Sequence, residues 1–260
     1  MPLVVTDAIV LHAFEYLESS RIVRLATREA GVQSAIAKGA RRPKSRFGAA
    51  LDLFAEGSAH LHLRPARDLQ TLGAFEDAHA RPQLAQEFER FTAASALAEM
   101  VIRFARDEAS PELFDILSRG LDRLGTASAQ QARGVGLAIM WRIVAELGFA
   151  PTIDDCALCH APVPPGLTTR FHHRAGGALC ESCAARNRAC RLLPPEARSA
   201  LRSWLHDEEA GELDDGAGRA HQRLLREFLR EHLGDDKPMK AMEFWERQSA
   251  DHSSQSLVGR

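Results

Sequence analysis

Up to about residue 75 the chain alternates apolar and polar positions on a period of two. Beyond it, apolar positions recur every three or four residues. Runs mixing β-branched and polar residues at 6–12 (TDAIVLH), 21–26 (RIVRLA) and 32–37 (VQSAIA), with a turn at 29–31 (EAG), predict strands. Two more follow at 51–54 and 59–64. In the second, Ala59, Leu61 and Leu63 alternate with His60, His62 and Arg64, and residues 69–75 complete the set. Short strands at this spacing without intervening helices predict a small barrel or sandwich. The stretch 39–46 (GARRPKSR) breaks the series as a basic loop punctuated by glycine and proline.

From Arg81 onward the pattern is helical. Pro82 suits a first turn, and Leu84, Phe88, Phe91, Leu97, Met100, Val101 and Phe104 form one apolar stripe. Ser110-Pro111-Glu112 is a helix start, followed by a buried face at Leu113, Phe114, Ile116, Leu117, Leu121 and Leu124. A third helix is expected over 129–147, capped by Gly148, with Gly134 and Gly136 allowing close packing. After an interruption at 151–190, helices are expected at 194–206, 217–233 and 239–248. The polar tail 249–260 is expected to be disordered.

At 45% hydrophobic and 26% charged residues, the composition is that of an ordinary globular chain. No stretch approaches the roughly 18 apolar residues of a membrane span. The first residues lack the basic, then apolar pattern of an export signal, so the expected location is the cytoplasm. The net charge of −2 hides an uneven distribution. Arg21, Arg24, Arg28, Lys38, Arg41, Arg42, Lys44 and Arg46 face the single acid Glu29 within residues 21–46, whereas 207–215 is acidic.

Cys156, Cys159, Cys180 and Cys183 read C-x2-C-x20-C-x2-C, a four-thiolate zinc spacing. Each pair aims two sulfurs from one tight turn, and two turns complete a tetrahedron with no open position for substrate. Two disulfides could use the same residues but need an oxidising compartment, and redox use of a Cys-x-x-Cys would leave the second pair unexplained. Cys190 is left outside the set as a half-buried thiol, and His172 and His173 are expected on the surface. The pairs Asp154/Asp155 and Asp214/Asp215 read as caps or solvated turns. No phosphate-binding glycine loop, H-E-x-x-H, G-x-S-x-G or deaminase signature occurs, so no catalytic site is expected.

A barrel with a cationic loop at its edge suits a nucleic-acid backbone, since arginine forks phosphate bidentately. Phe47 is the one aromatic close to the loop in sequence. Contact dominated by the phosphate backbone is therefore expected, with steep salt dependence and little sequence preference.

These residues together resemble the RecO family of bacterial DNA repair proteins. The resemblance rests on Asp7 to Leu11 (DAIVL), Tyr16-Leu17-Glu18, the run 37–46 (AKGARRPKSR), Gly148-Phe149-Ala150-Pro151, and the two cysteine motifs at 155–159 (DCALC) and 176–183 (GGALCESC). It is specific over most of residues 3–190. One departure is His160, where a small residue such as glycine is common. The resemblance implies an α+β multidomain protein: a five-stranded OB-fold barrel over 1–79, an all-α helical domain over 80–150 and 191–248, and an inserted four-cysteine zinc knuckle over 151–190. It implies a recombination mediator, not an enzyme. Such a protein binds single- and double-stranded DNA and anneals complementary strands without ATP. With RecR it helps load RecA onto strands coated by the single-stranded DNA-binding protein, with RecF an indirect partner and the nucleoid as the place of work. Lys38, Arg41, Arg42, Lys44 and Arg46 carry over as the DNA-contacting set, with Arg24 and Arg28 as weaker additions. The competing reading is a zinc-stabilised protein adaptor whose basic loop is only a solvated face.

Overall fold

The computed structural model describes residues 2–48, 50–64, 67–105, 108–208, 213–234 and 237–255. The chain divides into two compact units, Met1–Ala127 and Ser128–Arg260.

In the first unit β1 (Leu3–Tyr16), β2 (Ser20–Thr27), β3 (Gly31–Ala37), β4 (Glu56–His62) and β5 (Gln70–His79) form a closed barrel in the order β1-β2-β3-β5-β4. That is the five-stranded OB arrangement. All pairings are antiparallel except β3 with β5, which run parallel and are paired at Ala35–Gln70 and Ile36–Thr71. The alternating apolar positions Ala8, Val10, Val23, Leu25, Ala35, Ala59, Leu61, Leu72 and Phe75 fill the interior. Gly57 is needed at the β4–β5 irregularity, because a Cβ there would lie 2.6 Å from the Glu76 carbonyl oxygen.

Residues 51–54, expected as a strand, form a turn instead. Leu51 and Phe54 are buried, and Phe54 adopts a φ of 66° while its N–H donates to the Val10 carbonyl at 2.8 Å. The Val10 N–H in turn donates to the Ala55 carbonyl at 2.9 Å, where the β1–β2 register slips between Val10 and His12. A bulged β1 thus accepts the turn as a cap, and burial of two large side chains, not strand pairing, explains the apolar signal.

The stripe after Arg81 is split into α1 (Pro82–Gln86) and α2 (Phe88–Phe104) by the extended backbone of Glu87. Arg90 bridges the break by donating to the carbonyls of Ala127 (2.6 Å) and Gln83 (3.4 Å). In α3 (Pro111–Thr126) the Ser110 hydroxyl accepts from the Leu113 N–H, as the sequence predicted. Helix α2 packs along β1 and β2, and α1 packs on α3. Helices α1–α3 belong to the barrel's unit and the later helices to the second.

The second unit opens with α4 (Ala129–Val144), started by a capping box between Ser128 and Gln131. A π-helical turn, Ala145–Phe149, ends it at Gly148 with φ 87°. The cysteine region then forms β6 (Thr169–His172), β7 (Gly177–Leu179) and the short α5 (Glu181–Arg186). With β8 (Arg191–Leu193) these strands make a sheet in the order β7-β6-β8. Helices α6 (Pro195–Leu205), α7 (Asp215–His232) and α8 (Lys240–Gln255) follow. Phe171 of β6 meets Phe228 of α7 (ring centroids 6.0 Å), which meets Trp141 of α4 (5.3 Å), so one aromatic chain joins knuckle to helices. Helix α8 runs on to Gln255, into the stretch expected to be disordered; no glycine or proline interrupts 240–255. Residues 256–260 lie outside the described residues, as do 209–212 of the acidic run. Among the described residues no helix is long and apolar enough to cross a membrane.

Candidate nucleic-acid interface and metal centre

The loop after β3 keeps its cations outward. Lys38, Arg41, Arg42, Lys44 and Arg46 are all exposed, while Ala40 and Phe47 between and beside them sink into the barrel core. The loop is braced by turns, with the Arg42 N–H donating to the Gly39 carbonyl (3.1 Å) and the Ser45 N–H to that of Arg42 (2.9 Å). Arg41 ties it to the β1–β2 hairpin. Its backbone N–H donates to the Ser19 carbonyl at 3.0 Å, and its guanidinium lies 3.0 Å from a Glu15 carboxylate oxygen.

The two weaker candidates stand apart. Arg24, on β2, donates to the Ser34 hydroxyl at 3.2 Å. Arg28 pairs with Asp7 (3.5 Å) and with Asp115 of α3, and its guanidinium lies 5.0 Å from the Phe114 ring centroid. Arg28 is thus engaged in joining the barrel to α3.

Phe47, the aromatic nearest the loop in sequence, is 2% exposed. Phe14 and Tyr16, at the end of β1 in the hairpin that Arg41 grips, are 44% and 39% exposed instead. The expected strand ended at His12, and β1 runs on to Tyr16. The alternation His12, Phe14, Tyr16 that continues it was the available signal.

In the second unit the four cysteines converge, with sulfur atoms all within 4.8 Å of one another. The Cys159 and Cys180 sulfurs lie 3.6 Å apart. Burial raises the Cys156 pKa, but the N–H groups of Cys180, Cys159 and Leu158 outweigh it and the net shift is downward. The Ser182 hydroxyl brings Cys180 down to about 6, while hydrogen bonds with Cys159 and Cys180 push Cys183 up to about 12. Four soft donors so close, with amide N–H groups aimed at sulfur, fit a thiophilic cation that would let all four ionise together. His160 follows the first pair in the left-handed region, φ 58°, with its N–H on the Cys156 carbonyl at 2.9 Å. Cys190 packs beside the cluster and bonds the Asn187 carbonyl at 3.1 Å.

His173 was expected at the surface. It is mostly buried, 3.0 Å from a Glu227 carboxylate oxygen, and burial lowers its pKa. Glu227 also takes Arg191, so α7 holds both β8 and the end of β6. Asp214 caps α7, accepting from the Ala217 N–H at 2.7 Å, and Asp154 pairs with Arg198 and Arg202.

The family model described as Recombination protein O N terminal matches residues 1–81, and Recombination protein O C terminal matches 85–241. The chain belongs to the RecO family. It is 36% identical to a DNA repair protein RecO of Anaeromyxobacter dehalogenans (strain 2CP-C), over 87% of this chain and 90% of that one. It is 34% identical to the protein of the same description from Anaeromyxobacter sp. (strain Fw109-5), over the same shares. RecO membership gives the chain a role in DNA repair and recombination. Between them the two family models cover the barrel and the cysteine region, so both candidate sites lie inside the family's shared frame.

Proposed function

We propose that the chain is a recombination mediator that binds DNA through the loop Lys38–Arg46 and pairs complementary strands without ATP. The observation that supports this most is the loop itself: five outward cations on a braced turn anchored in an OB barrel. Cations there lower the repulsion between two polyanions. Contacts to phosphate leave base edges free to pair, and loose electrostatic holding lets the duplex leave. In the cell the partners would be RecR, RecA and the single-stranded DNA-binding protein, on DNA of the bacterial nucleoid.

The metal in this reading is one zinc ion on Cys156, Cys159, Cys180 and Cys183. With four thiolates its shell is closed, so it supplies shape, not catalysis. The residues that handle DNA are the cations of the barrel, in the other unit.

Strand annealing followed by fluorescence tests the function. Acceleration in the absence of ATP is expected, and no acceleration, or an absolute ATP requirement, overturns it. Replacing Arg41, Arg42 and Lys44 by alanine should weaken single-strand binding. It should flatten the log–log salt slope by about 0.7 for each phosphate no longer neutralised. Unchanged affinity and slope would favour the adaptor reading.

A further inference from the structure

On the outer side of β1–β2–β3 the register aligns a strip that the phosphate-only picture does not use. His12 lies opposite Arg24, Phe14 opposite Ile22, and Tyr16 opposite Ser20. Ala13 and Val23, between them, pack on the barrel core, so these side chains turn away from it. His12 and Phe14 already meet with ring centroids 5.7 Å apart. The strip is bounded by cations at both ends. At the hairpin end stands the basic loop, held by Arg41. At the other, Arg24 lines a cleft of about 480 Å³ with Ser34, Arg64, Arg67, Asp68 and Gln70, three arginines against one acid. Gln70, 7% exposed, fixes that rim by accepting from the Arg64 N–H (2.7 Å) and donating to the carbonyls of Arg64 (3.2 Å) and Arg67 (2.6 Å).

Residues two apart on a strand are separated by about 7 Å, about twice the 3.4 Å rise of a stacked DNA strand. A strand laid along Phe14 and Tyr16 is therefore stretched, its bases parted and each free to lie on a ring. A duplex cannot do this without unpairing, and charge at both ends matches a polyanion that crosses an apolar strip. We propose that single-stranded DNA runs over this face, bases stacked on Phe14 and Tyr16, its backbone held by the basic loop at one end and by Arg24 and the arginine cleft at the other. This rests on the nucleic-acid reading above and gives it a path and a preference for single strands. Stacking uses base faces and leaves the pairing edges open, as annealing requires.

The test uses the full chain and three labelled ligands: an oligothymidylate, an abasic oligomer of equal length, and a duplex. Phe14→Ala with Tyr16→Ala should weaken oligothymidylate binding about tenfold or more. Affinity for the abasic oligomer and the duplex should stay the same, as should the salt slope. Equal loss for all three ligands, or none for any, overturns the proposal. Photocrosslinking of an iodouracil-bearing strand to the unaltered chain should yield adducts at Phe14 or Tyr16, and adducts confined to other positions also overturn it. If the unaltered chain binds no DNA, the nucleic-acid reading falls with it. If binding responds only to alanines in the basic loop, that reading stands and the stacking face alone falls.

Discussion

His160 and His221 show how differently one residue type can bear on stability. At His160 the φ of 58° puts a Cβ where only glycine sits without penalty. We expect His160→Gly to leave the melting midpoint unchanged or raise it by no more than about 1 kcal/mol equivalent, relief of backbone strain being offset by a freer unfolded chain. His160→Val should cost about 1–2 kcal/mol, so the pair of melting curves checks the conformation. His221 is 2% exposed, edge-on to Trp204 with ring centroids 4.7 Å apart, and neither ring nitrogen has a partner among the described residues. Burial brings its pKa from 6.5 down to about 4. The unfolded chain then binds the extra proton between those values, so this histidine's stability is whole above pH 6.5 and is lost as pH falls towards 4. The difference in unfolding free energy between the unaltered chain and His221→Gln should shift by on the order of 3 kcal/mol across that window, in favour of the variant at low pH. A pH-independent difference would count against a neutral buried ring. The four cysteines and the basic loop were legible because their chemistry is written in local spacing. The burial of Phe47 was not legible, because proximity in sequence says nothing about which way a side chain faces.

At the scale of elements, the barrel and α3 are pinned by Arg81, whose side chain is 1% exposed. It donates to Glu56 of β4 (2.6 Å), to Asp122 of α3 (2.6 Å) and to the Phe54 carbonyl (3.0 Å). Removing it strands two carboxylates that are themselves partly solvated, so Arg81→Ala should cost about 2–3 kcal/mol in urea unfolding, short of the fully buried case. Nothing in the sequence announced this residue, since its acidic partners lie 25 and 41 positions away. Apart from 51–54, strands and helices were legible from period, and their caps from Ser110 and Gly148. The break at Glu87 and the short strands of the knuckle were not. The first is a single extended residue within an unbroken apolar stripe. The second are three or four residues long, too short for alternation to register.

For the molecule as a whole, the basic loop and the four-cysteine cluster lie in different units. Chelation, or Cys156→Ser with Cys180→Ser, should expose residues 151–193 to protease and amide exchange while the barrel's amides keep their protection. Loss of protection in both units together would mean that the metal supports more than its own knuckle. The barrel, in turn, is not equally strong around its circumference. Four of its junctions are antiparallel ladders of many rungs, but β3 and β5 meet at just Ala35–Gln70 and Ile36–Thr71. The cylinder therefore has a natural slit, and Gln70 at its lip also fastens the arginine-bearing loop. If the wall breathes, it parts along that line first, and the arginines at the rim move with it. A polyanion lying across the rim would act as a suture, slowing exchange at the amides of 70–72 more than anywhere else in the wall.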